Sequence, residues 1–263
     1  EALNHSGTAS TSSANVGSYT ISNLTGITIA DGGGGTASNY TLTGGTHNFA
    51  INQRPLNATL ARQYDGTTNA AGSDLSSFDA LQGGETLTLS GSGTAANDNV
   101  ANGISVSSLG SLALVNGTGL ASNYSLNSAA INITQRVLTS SGSKAYDANT
   151  NALAADITLS NLVSGEALNH SGTASISSAN AGSYTITNLA GITIADGSGG
   201  AASNYTLTGG THNFTVNPKV ISLSGLRLYD ATTDAVASDL TTISGLVGSE
   251  TLNLSGTGSV ANA

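Results

Sequence analysis

The sequence of 263 residues contains no cysteine, methionine or tryptophan and only two prolines. Without cysteine there are no disulfides, iron–sulfur clusters or thiolate zinc sites, so the fold must depend on burial and backbone hydrogen bonds. Aromatic residues make up only 4% of the chain, which leaves few platforms for stacking sugars in a glycosidase. No motif predicts a convergent catalytic pocket, and we predict that the chain is not an enzyme.

Charge is also scarce. Six basic residues against 15 acidic ones give a net charge of -9. Because phosphate binding needs clustered Lys and Arg, this balance predicts no nucleic-acid partner. No run approaches the ~18 apolar residues of a membrane span, so we expect no membrane insertion in this segment. The start of the chain does not resemble a signal peptide, and we expect a fragment or a mature segment.

What the sequence does contain is a long internal repeat. A Tyr-Asp pair at Tyr64, Tyr146 and Tyr229 recurs at intervals of 82 and 83 residues. Boundaries placed after Arg54, Arg136 and Lys219 divide the chain into a first repeat (1–54, partial), a second (55–136, complete), a third (137–219, complete) and a fourth (220–263, partial).

The first and third repeats are nearly identical. Residues 1–50 and 166–215 differ at only seven positions, which defines a longer period of 165 residues. Duplication of a block of two repeats is the simplest explanation.

Within each repeat, apolar residues alternate with Ser, Thr or Asn. A period of two is typical of strands in a sheet with one buried face. The runs that show it are Glu85–Leu89, Tyr19–Ile21, Gly26–Ile29, Tyr124–Leu126 and Ile131–Ile133. The nearest helical candidate, Asp74–Leu81, is rich in Ser and predicts at most one short turn of helix. The fold class is therefore predicted to be all-β.

A repeat of ~82 residues can close its own small core. The sequence thus predicts a tandem array of β-sandwich or β-grasp-like domains, with a β-solenoid as the alternative, although solenoid coils are usually shorter. Pro55 and Pro218 stiffen two of the junctions, and no Gly/Ser spacer separates the repeats. Neighbouring repeats of the same chain are expected to touch and to form a rod.

Three strings carry a family resemblance: Tyr64–Ala70, Gly83–Gly91 and Ala121–Leu126. Together they resemble the YDG-type repeat of large bacterial haemagglutinin-like, filamentous adhesins exported by two-partner secretion. The resemblance implies a mostly-β stalk module at the bacterial outer surface. The Gly of the motif is replaced by Ala148 and Ala231, which argues against a role that needs positive φ there.

Recurring acids are the candidate metal ligands. In each repeat two Asp residues lie nine positions apart and a Glu follows, and hard oxygen ligands could hold Ca²⁺ if these loops converge. No calcium-loop motif is present, and turn capping by Asp is the alternative. The candidates are Asp65, Asp74, Glu85, Asp147, Asp156, Glu166, Asp230, Asp239 and Glu250. No other cofactor is predicted.

Recurring tyrosines are interpreted as structural. A large ring at one place in each small repeat fills core, with its hydroxyl bonded to a backbone group. The signature comprises Tyr64, Tyr146 and Tyr229, each followed by Asp65, Asp147 or Asp230, together with Tyr40, Tyr124 and Tyr205. The second set lies in Asn-Tyr-Thr or Asn-Tyr-Ser strings, which also match a glycosylation acceptor.

Histidines occur only in the first and third repeats, as His5, His47, His170 and His212. Their strand parity indicates inward positions. A two-His metal site is conceivable, but zinc prefers three or four ligands, so hydrogen-bonded His at a sheet margin or repeat junction is the favoured interpretation.

Two functions fit these features. The first is a structural stalk of a secreted or cell-surface adhesin that supports adhesion, biofilm matrix or filament formation. The alternative is an array that binds glycans, or other copies of itself through strand edges, with many weak contacts. Shortening the array by whole repeats should reduce only reach in the first case and avidity in the second.

Overall fold

In the computed structural model, which describes residues 1–186 and 188–260, the chain is all-β. The helical residues of these ranges are confined to six 3-10 turns of three residues each. The chain divides into two compact units, Glu1–Thr134 and Gln135–Ala263. No helix of the described residues is long and apolar enough to span a membrane.

The first unit contains twelve strands. They are β1 Leu3–Gly7, β2 Gly17–Thr20, β3 Ile27–Asp31, β4 Asn48–Ile51, β5 Arg54–Gln63, β6 Asn69–Ala71, β7 Leu75–Phe78, β8 Leu87–Ser90, β9 Ser92–Ala95, β10 Ala101–Ser108, β11 Ala113–Asn116 and β12 Tyr124–Thr134. Its 3-10 turns are Ala37–Asn39, Gly72–Asp74 and Ala121–Asn123.

The second unit contains thirteen strands in its described residues. They are β13 Arg136–Val137, β14 Thr139–Ala145, β15 Asn151–Leu153, β16 Ile157–Ser160, β17 Leu168–Ser175, β18 Gly182–Thr185, β19 Ile192–Asp196, β20 Tyr205–Thr206, β21 His212–Asn217, β22 Ser222–Ser224, β23 Asp234–Val236, β24 Thr242–Ser244 and β25 Thr257–Ser259. Its 3-10 turns are Ala154–Asp156, Ala202–Asn204 and Ala237–Asp239.

The second repeat is organised around its first and last strands. β5 and β12 run parallel in the middle of a six-stranded sheet of order β6-β9-β10-β12-β5-β7, with Leu60 opposite Ile131. β7 and β10 flank this pair in antiparallel orientation. β8 and β11 form a separate two-stranded ladder. The two ends of the repeat are therefore held together at its centre.

The third repeat has the same central arrangement. β14 and β21 run parallel in a sheet of order β16-β14-β21-β18. β17 pairs with β19 through its first half and with β15 through its second half. To within one residue of the repeat boundaries, every strand ladder of the described residues joins strands of a single repeat.

Along these strands, every second side chain points into the core of the repeat. In β5, Leu56, Ala58 and Leu60 are buried, while Asn57 faces solvent. The buried face of the third repeat forms an aliphatic cluster around Phe214 and Val216. Buried apolar area of this kind supplies most of the favourable free energy of a small β domain.

The run Asp74–Leu81 differs from the short helical turn that its sequence predicts. The helical turn lies just before this run, at Gly72–Asp74, and Leu75–Phe78 forms strand β7. β7 pairs with β5, and the register shift between Thr59 and Leu60 places an irregularity in that ladder. Pairing with a central strand therefore outweighs the weak local helical tendency of this segment.

Candidate functional site

The Tyr-Asp motif forms a polar turn that is closed by a basic residue three positions before the Asp. Arg62 pairs with Asp65, Lys144 Nζ lies 2.8 Å from Asp147 Oδ1, and Arg227 Nη1 lies 2.9 Å from Asp230 Oδ2. The hydrogen bond from Lys144 holds the pKa of Asp147 below its ordinary value. Each Asp thus already has a cationic partner.

The same carboxylates also cap their own turns. Asp65 Oδ1 accepts hydrogen bonds from the amide and the hydroxyl of Thr67, both at 2.9 Å. Asp230 caps Thr232 in the same way, and the amide bond is the main reason that the pKa of Asp230 is lowered. Turn capping, the alternative to calcium binding, is therefore what the structure displays at these positions.

The third residue of the motif has positive φ in all three copies. Gly66 has φ 73°, and Ala148 and Ala231 keep the conformation with φ 64° and 63°. The argument from the two alanines against a role that needs positive φ at this position is therefore wrong. The capping bonds of the preceding Asp hold the turn in the left-handed region, at a cost of about 1 kcal/mol for a residue with a Cβ.

This conformation predicts opposite effects for reciprocal substitutions. We expect Gly66→Ala to lower the free energy of unfolding by about 1 kcal/mol, because Ala is strained at positive φ but is tolerated in the other copies. Ala148→Gly should be neutral or stabilising by up to about 1 kcal/mol. Denaturant unfolding of the two variants measures the pair, and two changes of the same sign would contradict the explanation.

The tyrosines of the Tyr-Asp motifs do not share one environment. Tyr64 is 4% exposed, as a core residue should be, and its amide bonds Thr134 O at the end of the repeat. Tyr146 is half-buried, and its amide bonds Asn217 O. Tyr229 is 93% exposed, so the core role predicted for it is wrong. Residues 220–263 do not include the equivalent of the last strand, which covers Tyr64 and Tyr146 in the complete repeats.

The tyrosines of the Asn-Tyr strings bond the recurring Glu. Tyr205 Oη donates to Glu166 Oε2 at 2.6 Å, and Tyr124 donates to Glu85. The Glu follows a tight turn, closed in the third repeat by Glu166 N–H donating to Val163 O. In the second and third repeats, the Glu–Tyr pair therefore fastens this turn to a buried ring.

A backbone amide completes the cluster. The amide of Val163 donates to Tyr205 Oη at 3.1 Å, and the amide of Gln82 donates to Tyr124 Oη at 3.2 Å. Burial, followed by the bond to Glu166, raises the pKa of Tyr205, whereas the bond to Glu85 is the main cause of the raised pKa of Tyr124. Neutral phenols that donate to carboxylates are the stable form.

In the first repeat the equivalent pair is exposed. Tyr40 Oη also donates to Glu1, but the Tyr40 side chain is 46% exposed, compared with 1% for Tyr205. The core role predicted for Tyr40 is therefore wrong, although its bond to Glu is kept. Glu250 of the fourth repeat accepts instead from Tyr146 of the third.

These arrangements do not bring the nine acidic candidates together. Asp74, Asp156 and Asp239 each end a 3-10 turn. In residues 1–186 and 188–260, no group of three His, Asp or Glu side chains is placed to hold a metal ion. The calcium hypothesis lacks the convergence of loops on which it depends.

The histidines take up hydrogen bonds in three of four cases. His212 is 3% exposed, with Nδ1 2.9 Å from Ser140 Oγ and Nε2 2.8 Å from Leu207 O. His170 Nε2 lies 2.9 Å from Ile157 O, and His47 Nε2 lies 2.9 Å from Leu42 O. His5 is exposed, so its predicted inward position is wrong. The short first repeat places no further strand over it.

An asparagine links the first repeat to the second. Asn123 Oδ1 accepts from the amide of Val16 at 2.9 Å, and Asn123 Nδ2 donates to Asn15 Oδ1 at 2.9 Å. Gln53 Nε2 adds a bond to Ser122 O at 3.2 Å. In this string Tyr124 therefore fastens its own repeat, while Asn123 binds the preceding one.

These linking residues are not among the predicted site residues, although they recur in the sequence. Asn precedes every Tyr of the second set, and Gln135 Nε2 bonds Ser203 O just as Gln53 bonds Ser122. The same strings were a possible glycosylation acceptor. Asn204 is only 2% exposed, and Asn123 Nδ2 donates to Asn15 Oδ1, which argues against glycan attachment at both.

The Asn123 link predicts a local effect. We expect Asn123→Ala to remove two hydrogen bonds, worth about 1 kcal/mol each, and to speed hydrogen exchange of the Val16 amide. The core of the second repeat should retain its protection, since the side chain lies outside it. Asn39→Ala, at the equivalent exposed position, is the control. Unchanged exchange at Val16 would contradict the link.

Comparison with known protein families finds two copies of one domain in this chain. The YDG domain model matches residues 52–131 and 129–213, which together are more than half of the chain. The chain belongs to the YDG domain family. No curated protein and no solved structure matches it significantly. The family match confirms the resemblance of the repeats, and it does not extend to the adhesin that the resemblance implies.

Proposed function

We propose that this YDG-domain chain is a stalk segment of a large bacterial surface adhesin, in which tandem repeats supply reach and mechanical continuity. The main support for this proposal is that the first and last strands of each complete repeat pair in parallel at its centre. Tension applied at the two ends of such a repeat loads the whole ladder at once. A mixed sheet with this central pair supports the β-grasp-like alternative over a sandwich.

Contacts between adjacent repeats support a stalk as well. Asn123 and Gln53 bond across the junction of the first two repeats, and Tyr146 bonds Glu250 across that of the last two. Hydrogen bonds of this kind restrict swivelling at a junction that has no spacer. Ladders confined to single repeats favour tandem domains over a solenoid.

Deletion of residues 55–219 from the parent protein tests the stalk. The deletion joins Arg54 to Val220, so the new junction keeps the position of the old ones. We expect a shorter end-to-end length in electron micrographs and unchanged affinity for the partner surface. Insertion of two unrelated β domains of similar length should restore reach. Lost affinity that this insertion fails to restore would overturn the proposal.

A second candidate, an array that binds glycans, is favoured by one observation. The first and third repeats carry equivalent open cavities, of about 650 and 450 Å³, lined by Leu24, Leu42 and His47 in one and Leu189, Leu207 and His212 in the other. Retention of a glycan by the chain, lost when Leu42→Trp and Leu207→Trp fill both cavities, would support this candidate.

A further inference from the structure

We propose that Asn116 is a site of spontaneous deamidation, at which the chain itself converts this asparagine to aspartate or iso-aspartate. The sequence contains two Asn-Gly dipeptides, Asn102-Gly103 and Asn116-Gly117, and both lie in the complete second repeat. Asn-Gly is prone to this reaction because glycine has no Cβ to hinder approach to its amide nitrogen. Both asparagines are exposed, yet the structure distinguishes them.

Deamidation joins two adjacent residues through their amides. The amide nitrogen of Gly117 attacks Cγ of Asn116, so that an N–Cγ bond forms while the Cγ–Nδ2 bond breaks. The proton of the glycine amide passes through solvent to the leaving nitrogen, which departs as ammonia, and a five-membered succinimide remains. Water then opens the ring at either of its two carbonyl carbons and gives aspartate or iso-aspartate.

The attacking nitrogen is available at one dipeptide and occupied at the other. The amide of Gly103 donates to Asn132 Oδ1 at 2.7 Å. This bond has to break before the nitrogen can approach Cγ of Asn102. Among the described residues, the amide of Gly117 donates no hydrogen bond. The structure therefore predicts that Asn116 reacts and that Asn102 is protected.

The carbonyl group under attack also has a donor in place. Asn116 Oδ1 accepts a hydrogen bond from the amide of Ala121 at 2.7 Å. Negative charge develops on this oxygen when the nitrogen attacks Cγ, and a preorganised backbone donor stabilises such charge. Ala121 is the first residue of the 3-10 turn Ala121–Asn123, which holds the donor in position.

The third repeat already carries the product of the reaction. Asp196 ends β19 opposite Leu168, just as Asn116 ends β11 opposite Leu87. Asp196 Oδ1 accepts from the amide of Ala202 at 2.8 Å, which is the bond that Asn116 makes in its own repeat. A carboxylate accepts such a bond more strongly than a neutral amide does. Aspartate at position 116 therefore fits this loop.

Loop length explains why the open amide occurs in the second repeat. In the third repeat the amide of Gly197, which follows Asp196, donates to Gly200 O at 3.0 Å. There the strand ends at position 196 and the 3-10 turn begins at 202, whereas in the second repeat these positions are 116 and 121. The loop that is one residue shorter gives Gly117 no such acceptor among the described residues.

Incubation of the whole chain at mildly alkaline pH tests the proposal, because base removes the proton of the attacking nitrogen. Tandem mass spectrometry locates the gain of about 1 Da at each asparagine. The ratio of the two rates in concentrated urea gives the intrinsic difference between the dipeptides. In the folded chain we expect the ratio of Asn116 to Asn102 to exceed it about fivefold or more, since one hydrogen bond protects Gly103. The same ratio in both conditions, or reaction of Asn116 only in urea, would overturn the proposal.

Two variants of Asn132 test the cause of the protection. Asn132→Ala removes the acceptor, and Asn102 should then react about fivefold faster or more in the folded chain, while Asn116 keeps its rate. Asn132→Asp is the matched control, because it keeps an acceptor oxygen for the Gly103 amide, and Asn102 should stay slow. Circular dichroism confirms that both variants are folded. A slow Asn102 in folded Asn132→Ala would contradict the assigned protection.

Discussion

Phe214→Ala is expected to lower the free energy of unfolding of the second unit by about 3–5 kcal/mol, the largest effect of any single substitution that we propose. The ring is 1% exposed and belongs to the core cluster of the third repeat. Truncation removes buried apolar surface and leaves a cavity that the short strands around it cannot readily collapse to fill. Because Gly142 lies directly opposite, the partner strand β14 has no side chain at that position to take up the space.

Phe49→Ala is the matched control. The residue type and the surrounding sequence are the same, but the ring is 49% exposed. We expect a loss of about 1 kcal/mol or less for the first unit. Urea unfolding followed by circular dichroism gives both values. Similar losses for the two variants would show that burial at Phe214 is not what stabilises the third repeat.

The alternation of apolar and polar residues predicted where strands occur, but not where each strand begins and ends. Glu85–Leu89 became β8, Leu87–Ser90, close to its predicted bounds. Tyr124–Leu126 and Ile131–Ile133, which the sequence separates, form the single strand β12. The four residues between them, Asn127 to Ala130, remain in the strand because β5 pairs along the whole segment, with one register shift between Leu126 and Ser128. Period-two patterns report burial, while strand length depends on the partner.

The repeat period identifies the recurring residues, but it does not predict which residues they bond. Glu85 and Tyr124 recur at fixed positions, yet nothing in the sequence shows that a hydrogen bond joins them across 39 residues. Asn123 reaches Asn15 across 108 residues. Such partners depend on how strands are ordered, and the strand order follows from long-range pairing that a repeat period does not encode.

Equivalent residues also acquire different environments in this chain. Tyr229 shares its motif with Tyr64 but is exposed, and Phe49 shares its sequence with Phe214 but is half exposed. In each pair, the buried member lies in a complete repeat whose first and last strands meet. Burial is thus a property of the closed repeat, and the motif alone predicts the residue type that closure will bury.

Tyr205→Phe is the second substitution with a large expected effect. It removes only the hydroxyl, so that Glu166 loses the donor at 2.6 Å and the amide of Val163 loses its acceptor. We expect a loss of about 1–3 kcal/mol for the second unit and faster hydrogen exchange of the Val163 amide. Tyr40→Phe removes the same bond at an exposed pair and should have a much smaller effect.

The Tyr205–Glu166 pair predicts that the free energy of unfolding of the second unit depends on pH in the alkaline range. Burial and the bond to Glu166 raise the pKa of Tyr205 above its ordinary value of 10.0, so the folded state keeps a proton that the unfolded state releases. The stabilisation is therefore complete below pH 10 and is lost as pH rises through the folded pKa. Denaturant unfolding of the second unit at pH 8 to 12 should show the difference between wild type and Tyr205→Phe shrinking above about pH 10. A difference that stays constant across this range would mean that the hydroxyl stabilises the third repeat by some means other than donating its proton to Glu166.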